Sequence, residues 1–495
     1  MKRLLSCSRL KDYLVYAFVG VVCFSTFVVN DAPYNWSKLL LLGAWFMIYI
    51  DMEFACRNRV TRETLVFVFI CSGLAEAVWG WLQLYDLLPS RHTLFPLTGS
   101  FKNPGPYAGY LAVTFPLALY ACLFYKDARK YVGVLTCLAI LPLFPVSMSR
   151  ASWLAAMAGS AVVLYGRYDR QVTAYIQSHR RMFRWAGVGL LGLFCAIAFC
   201  LYLLKPDSAD GRLLMWKLEA RTLLRHPFGV GLGNFAGAYG EVQAAYFATG
   251  GTETERYVAG NPEYAFNEYL QIGIESGLLG LGLFVAILYF CFRQMRDLHA
   301  WHLSGALASL SVFACFSYPF SIWLFLLVLL FLLAASSRMP AVEQTRSRRW
   351  KSLLLGLGCL FAIYAIKSRL WNEWEQTEGL FVRAQQHAGA GEYAESNALL
   401  KRATYISCDP MLYDVMGKNH QALGEYSEAE RCFLYAADLV PNRLYPYYLL
   451  AKLYHATNES EKMRVAAQRV LTQRPKVHSR AVDEMRAEMK TLLGQ

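Results

Sequence analysis

Charged side chains are scarce in this chain of 495 residues: Asp, Glu, Lys and Arg make up 17% of it, against 56% hydrophobic and 15% aromatic residues. Soluble domains need more charge than that to cover their surfaces, and a positive mean hydropathy of +0.28 excludes a set of them. No Ala-x-Ala-like cleavage site follows the first apolar run, so residues 13–29 are expected to remain as a span and not to leave as a signal peptide. Of the thirteen cysteines, most sit inside apolar runs, for example Cys23, Cys71, Cys195, Cys200 and Cys359, where a thiol packs as a small hydrophobe. Cys408 and Cys432, in the more polar tail, lack metal-ligand spacing, and no metal or other cofactor is expected. Acidic residues are fewer than basic ones, 36 against 49, and a net charge of +13 could mark a nucleic-acid binder. The location of the charge argues otherwise. Residues 371–495 hold 15 basic and 16 acidic side chains, so the whole excess belongs to the hydrophobic residues 1–370 and requires no nucleic acid.

Apolar runs able to cross roughly 30 Å of hydrocarbon lie near 13–29, 37–55, 64–85, 105–125, 131–149, 151–166, 185–204, 267–292, 303–317, 319–335 and 352–368. The ninth and tenth are short and joined at Tyr318-Pro319, which leaves the count of eleven open by one. Alternate connections hold 22 of the 34 basic residues of this half, from Lys2, Arg3, Arg9 and Lys11 at the start to Arg346, Arg348, Arg349 and Lys351 near the end. Short cytoplasmic connections are enriched in Lys and Arg, so the N-terminus is expected inside. Eleven spans then put the tail outside, and ten would return it to the cytoplasm. The expected fold is all-α: a polytopic helical membrane domain over 1–370, with a long outer connection at 205–266, followed by a helical tail over 371–495.

The tail repeats with a period of 33 to 34 residues, over about 377–409, 410–443 and 444–477. Gly391-Glu-Tyr393 recurs as Gly424-Glu-Tyr426, Ala403 as Ala436, and Pro441 as Pro475. In the middle copy Gly417, Gly424, Tyr426, Ala429, Phe433, Ala436 and Pro441 fall on the spacing of a tetratricopeptide repeat. Stacked helix pairs of this kind bury a face that no single pair could bury and present a groove for a protein partner.

Four polar segments stand out in the membrane half, and the span order places all of them on the outer face: Gly99-Ser-Phe-Lys102-Asn103-Pro-Gly105, Ser149-Arg150-Ala-Ser152, Gly211-Arg212-Leu-Leu-Met-Trp216 with His226-Pro-Phe-Gly-Val-Gly-Leu-Gly233, and Asn267-Glu268-Tyr-Leu-Gln271. Leu213, Trp216, Ala220, Leu223 and Leu224 recur at helical spacing, with Lys217, Arg221 and Arg225 on another face. This pattern fits an amphipathic helix on the membrane surface, its basic stripe meeting lipid headgroups or substrate. Arg150 and Arg212 are expected to serve differently, since a guanidinium keeps its charge and its fork matches phosphate oxygens. Glu76 and Glu275 lie within apolar spans, as a structural hydrogen bond or as part of a substrate path.

Asn267-Glu-Tyr-Leu-Gln-Ile-Gly-Ile-Glu275-Ser-Gly277-Leu-Leu-Gly280, preceded by Arg212, Trp216 and Pro227-Phe-Gly-Val-Gly-Leu-Gly-Asn-Phe235, resembles the O-antigen ligase and polymerase superfamily of bacterial inner membranes. Gly99-Ser-Phe-Lys102-Asn103-Pro and Ser149-Arg150-Ala resemble further segments of that family, so the likeness covers about residues 90–290. It implies metal-independent glycosyl transfer outside the cytoplasmic membrane, in which an acceptor hydroxyl on a glycolipid, a glycan or a protein attacks a sugar carried on undecaprenyl diphosphate. The residues it implies for catalysis are Arg150, Arg212 and Glu268, with Lys102, Asn103, Arg221, Asn267 and Glu275 for substrate binding. Members of that family commonly carry a histidine where this chain has Phe266, which cannot take a proton. Glu268 or Glu263 could act instead, or the reaction could run without a dedicated base.

Two other classes fit parts of the pattern. Many spans with acidic residues would suit a transporter or flippase of lipid-linked glycan, although no internal repeat of the membrane half and no pair of broken helices is visible. An assembly protein anchored by its membrane half would need far fewer spans.

Overall fold

The computed structural model describes residues 2–29, 35–179, 206–337, 377–476 and 478–494, with side chains from Leu10 onward apart from Ser208. Every regular element among them is a helix. The first group comprises α1 (Lys2–Phe24, running into a π turn at Ser25–Val29), α2 (Trp36–Cys56), α3 (Arg59–Leu84), α4 (Pro104–Phe124), α5 (Ala128–Ile140), α6 (Leu143–Ser147) and α7 (Arg150–Ser178). Then come α8 (Pro206–Arg225), α9 (Phe235–Thr249), α10 (Glu253–Val258), α11 (Glu268–Asp297), α12 (Trp301–Ala314) and α13 (Trp323–Ala335). Side-chain caps set several of the starts: Asn58, Asn103, Asp127 and Asn267 each accept from backbone N–H groups of the first turn that have no partner within the helix.

Among the described residues five helices are long and apolar enough to cross a membrane: Leu10–Val29, Trp36–Cys56, Arg59–Leu84, Pro104–Phe124 and Glu268–Asp297. Trp301–Ala314 and Trp323–Ala335 are shorter, and a 3-10 turn at Pro319–Ser321 separates them. The expected spans 185–204 and 352–368 lie outside the described residues. The expected span 131–149 is two helices, α5 and α6, because Pro142 supplies no N–H to continue the first. Met148, at φ 51°, then turns the chain into Arg150 at the start of α7.

Two cores result. One lies within the bundle, around Tyr107, Tyr110, Leu111, Phe313, Phe325 and Phe331. The other joins Leu214, Leu218, Phe235, Tyr239, Phe247 and Ile274 to Cys408, Leu439 and Val440 of the tail. The tail itself is a run of seven helices, α14 (Thr377–Gly389), α15 (Tyr393–Thr404), α16 (Pro410–Ala422), α17 (Tyr426–Leu439), α18 (Tyr445–Ala456), α19 (Ser460–Thr472) and α20 (Arg480–Leu492). Phe433 packs against Gly417, where a Cβ would lie 2.4 Å from its ring.

The bundle has two distinguishable ends. Lys11 is buried at one, where its ammonium bonds the Leu333 carbonyl at 2.8 Å and Asp12 at 3.0 Å, close to Ser337. Ser25 and Thr26 mark the other, where their hydroxyls accept from the amides of Gly231 and Leu232. Ser337 therefore lies at the Lys11 end, whereas the tail shares a core with the 206–266 segment at the Ser25 end. The described residues on either side of 338–376 are at opposite ends of the bundle.

Candidate functional site

Helix α8 brings Arg212 into the bundle. Its guanidinium donates to the Phe316 carbonyl at 2.8 Å and lies over the Phe266 ring, 5.6 Å from the centroid. Burial first, and then the nearby positive charge of Arg150, lower the pKa of Arg212 from its ordinary value. Two arginines 62 positions apart in the sequence thus act on each other across the start of α7 and the first half of α8. An aromatic wall lies beside Arg212. Tyr264 stacks on Tyr318 at 4.9 Å, Phe266 meets Tyr318 edge-on at 5.1 Å, and Trp216 lies 6.1 Å from Phe316. Glu263 is exposed beside that wall, where burial and its charge push the Tyr264 phenol up to about 12.

The other sequence-derived candidates are placed differently. Glu268 is 3% exposed, and its carboxylate accepts from the Phe320 amide at 2.6 Å. It holds the same turn whose Phe316 carbonyl grips Arg212. Asn267 caps α11, accepting from the amides of Tyr269 at 3.1 Å and Leu270 at 3.3 Å. Phe266, just before it, adopts φ 48°, which directs its ring towards Arg212 and not along the helix. Lys102 and Asn103 are exposed in the turn before α4, where Asn103 accepts from Gly105. Glu76 secures that turn, because its carboxylate takes the Ser100 amide and hydroxyl. Arg221 stacks on Tyr246 at 4.8 Å. It is nine residues from Arg212, two and a half helical turns, and so faces the opposite side of α8.

The basic stripe of α8 meets protein. Lys217 pairs with Glu255 at 2.7 Å and Arg225 with Glu241 at 3.0 Å. Burial works to raise the Glu255 pKa, but Lys217, the Thr252 amide and the Tyr246 hydroxyl prevail and hold it at about 2. The apolar face is also not quite the expected one: Leu214, Leu218 and Leu223 are buried, while Leu213 and Leu224 are 55% and 74% exposed. The reason is tertiary, since α9, α11 and the tail cover the side one residue further along.

Glu275 lies beside a break in α11. Gly277 has φ 77° and ψ 176°, a conformation that only glycine adopts without strain, and the helical hydrogen bonding is interrupted there. The Pro227–Gly233 segment splices the gap: Val230 N–H donates to the Ile274 carbonyl at 2.9 Å, Gly231 to Glu275 at 3.0 Å, and Leu278 to Pro227 at 2.9 Å. Gly229, Gly231 and Gly233 all have positive φ, which is the use of the alternating glycines. Helix α7 is also non-helical at one residue, Tyr168, and the sequence alone revealed neither break. The carbonyls at the α11 break are already bonded, and Glu275 is 8% exposed with the Gln271 amide near it.

Sequence reasoning passed over Phe316, Tyr264 and the ring of Tyr318, noting only that Tyr318-Pro319 joins two short spans. The available signal was that joint: aromatic residues clustered at an outer turn between short helices. Among the described residues no group of three His, Cys, Asp or Glu side chains is arranged to hold a metal ion.

Comparison with known proteins bears on this region. Residues 135–285 match the family described as O-antigen ligase. Arg150, Arg212, the Pro227–Gly233 splice and Asn267 to Glu275 fall inside the match, whereas Lys102, Asn103 and the tail fall outside. A Rickettsia conorii protein named as a polysaccharide ligase is 24% identical over 301 residues, 58% of this chain and 67% of its own length. Both findings support the ligase superfamily and a membrane glycan ligase in general outline.

Proposed function

We propose that this chain is an integral membrane glycosyltransferase of the ligase or polymerase type. It moves a glycan from undecaprenyl diphosphate to an acceptor hydroxyl at the end of the bundle that carries the 206–266 segment. The charge asymmetry of the connections supports reading that end as the extracytoplasmic face of a bacterial cytoplasmic membrane. The observation that carries this reading is the Arg150–Arg212 pair. The positive charge of Arg150 acts on Arg212 where burial already disfavours the Arg212 charge, a strain relieved when a polyanion sits between them, and a diphosphate matches the guanidinium fork.

In the reaction the acceptor oxygen bonds to the anomeric carbon, the bond from that carbon to the diphosphate oxygen breaks, and the electron pair leaves with the diphosphate. Donors already in place stabilise the charge as it grows. Glu263, exposed beside Tyr264 and Tyr318, takes the acceptor proton, and the aromatic wall offers faces for sugar rings. Glu268 is a positioning residue, keeping the Phe316–Phe320 turn against Arg212. Asn267 and Glu275 set the start and the break of α11, Lys102 and Asn103 contact the donor from the neighbouring turn, and Arg221, stacked on Tyr246, faces away from the arginine pair. The tail is a tetratricopeptide-like array.

The test is transfer from lipid-linked oligosaccharide in a membrane preparation. Arg212→Ala should lower the rate by about 10²- to 10³-fold, the usual loss for one preorganised donor. Arg212→Lys should fall between, keeping a charge without the fork. An Arg212→Ala protein that transfers as well as the unaltered one sinks the proposal, as does movement of the lipid carrier with no covalent product.

A further inference from the structure

Cys408, Asn442 and Lys476 are 34 residues apart in succession and occupy the same position in consecutive repeats, at the turns between helix pairs. All three point their side chains at one short stretch of the outer segment. The Cys408 thiol contacts the Pro262 carbonyl at 3.4 Å. The Asn442 amide donates to the carbonyls of Ala259 at 2.5 Å, Tyr257 at 3.1 Å and Arg256 at 3.3 Å. The Lys476 ammonium donates to Ala259 at 2.7 Å and Val258 at 3.1 Å. Between them Gln243, fully buried, joins the two bodies: its Nε2 donates to Gly260 at 2.7 Å and to Leu439 at 2.6 Å, while its Oε1 accepts from Tyr239. The turns are themselves braced, by Gln473 to the Pro441 carbonyl at 2.7 Å and by Arg486 to the Gln473 carbonyl at 2.7 Å.

The stretch so held, 256–262, runs directly into Tyr264 and Phe266, the rings against Tyr318 and Arg212. Other contacts meet it from the membrane half: Arg256 donates to the Phe247 and Gly250 carbonyls at 3.0 and 2.7 Å, Ala259 and Ala265 are buried in the shared core, and Ala265 N–H bonds the Gln271 side chain at 3.2 Å. Resting on the transferase reading above, we propose that the repeat tail is a positioning arm of the arginine site, its inter-repeat turns forming a ladder of donors that holds 256–262 and thereby the aromatic wall. The repeats use these turns within their own chain, not to recruit a separate protein.

The experiment combines hydrogen exchange on the purified full chain with glycan transfer, for Asn442→Ala, Lys476→Met and Lys476→Arg. Asn442→Ala and Lys476→Met should raise exchange of amides 260–266 at least tenfold, leave α11 and α12 unchanged, and lower transfer at least fivefold at equal amounts of folded protein. Lys476→Arg, which keeps a donor, should restore both. Unchanged exchange at 260–266 overturns the proposal, as does faster exchange with undiminished transfer. If the unaltered chain transfers no glycan, the transferase reading fails and the positioning of a transfer site fails with it. The exchange data then show separately whether the ladder holds the segment.

Discussion

Buried polar groups in the bundle and in the outer body are satisfied over very different distances along the chain. Within the bundle, hydroxyls mostly turn back to their own helix: Thr114 to the Tyr110 carbonyl, Thr136 to Val132, Ser147 to Phe144 and Ser276 to Ile272. In the outer body the bonds run between residues 146 to 218 positions apart, from the repeat turns to 256–262. A local bond forms wherever its helix forms. A distant one exists only when two separately folded pieces meet, so losing one should cost more than losing a local bond, in the outer body and at the few places where the bundle has them, such as Lys11 to Leu333 and Ser309 to Ala112.

The largest effect should come where a piece of the outer body is built into a bundle helix. A Cβ at Gly277 would lie 2.6 Å from the Phe228 carbonyl carbon and the Pro227 oxygen, at a positive φ. Gly277→Leu should leave almost no folded protein in detergent, measured by monodisperse recovery, whereas Gly282→Leu, with nothing within 4 Å, should be recovered normally. Next comes Gln243→Ala, which strands the Gly260 and Leu439 carbonyls and the Tyr239 hydroxyl. It should cost about 3 kcal/mol by denaturant unfolding, against about 1 kcal/mol for Thr114→Val in the bundle, where only a local bond is lost.

A third difference is visible as a pH slope. Glu219 on α8 is fully buried without a hydrogen-bond partner for either oxygen, and burial pushes its carboxyl up to about 9. The unfolded chain releases that proton near 4.5 and the folded one near 9, so stability falls as pH rises between them. Glu219→Gln should flatten the slope by on the order of 1 kcal/mol per pH unit between pH 6 and 8. The smallest effect belongs to the surface: Arg225→Ala breaks the exposed pair with Glu241 and should change the midpoint by less than about 0.5 kcal/mol.

The same contrast explains what could be read from the sequence. Apolar runs and caps are local, and the runs read near 37–55, 64–85, 105–125 and 267–292 lie close to α2, α3, α4 and α11. Order along the chain also brought Arg150 and Arg212 to one face. Side-chain direction was harder. The stripe holding Arg221 was expected to meet lipid headgroups or substrate, yet Arg221 stacks on Tyr246, which nothing near it in the sequence reveals. Glu268 looked like an available carboxylate because nothing near it in the sequence reveals the Phe320 amide, 52 positions away. Glycines 229, 231 and 233 read as part of an outer polar segment and Gly277 as part of a span, and their shared task emerges only when the two segments are seen side by side.

The spacing of those distant bonds also orders the birth of the molecule in time. Residues 256–262 emerge from the ribosome long before Asn442 and Lys476, and the turns that hold them must first reach the same side of the bundle. A nascent chain can therefore insert its helices and pair its arginines while its outer wall is still loose. Closure of that wall waits for the last repeat, so an interrupted translation product would be membrane-inserted and inactive, and a protease sampling the loose 256–266 stretch could tell it from the finished protein.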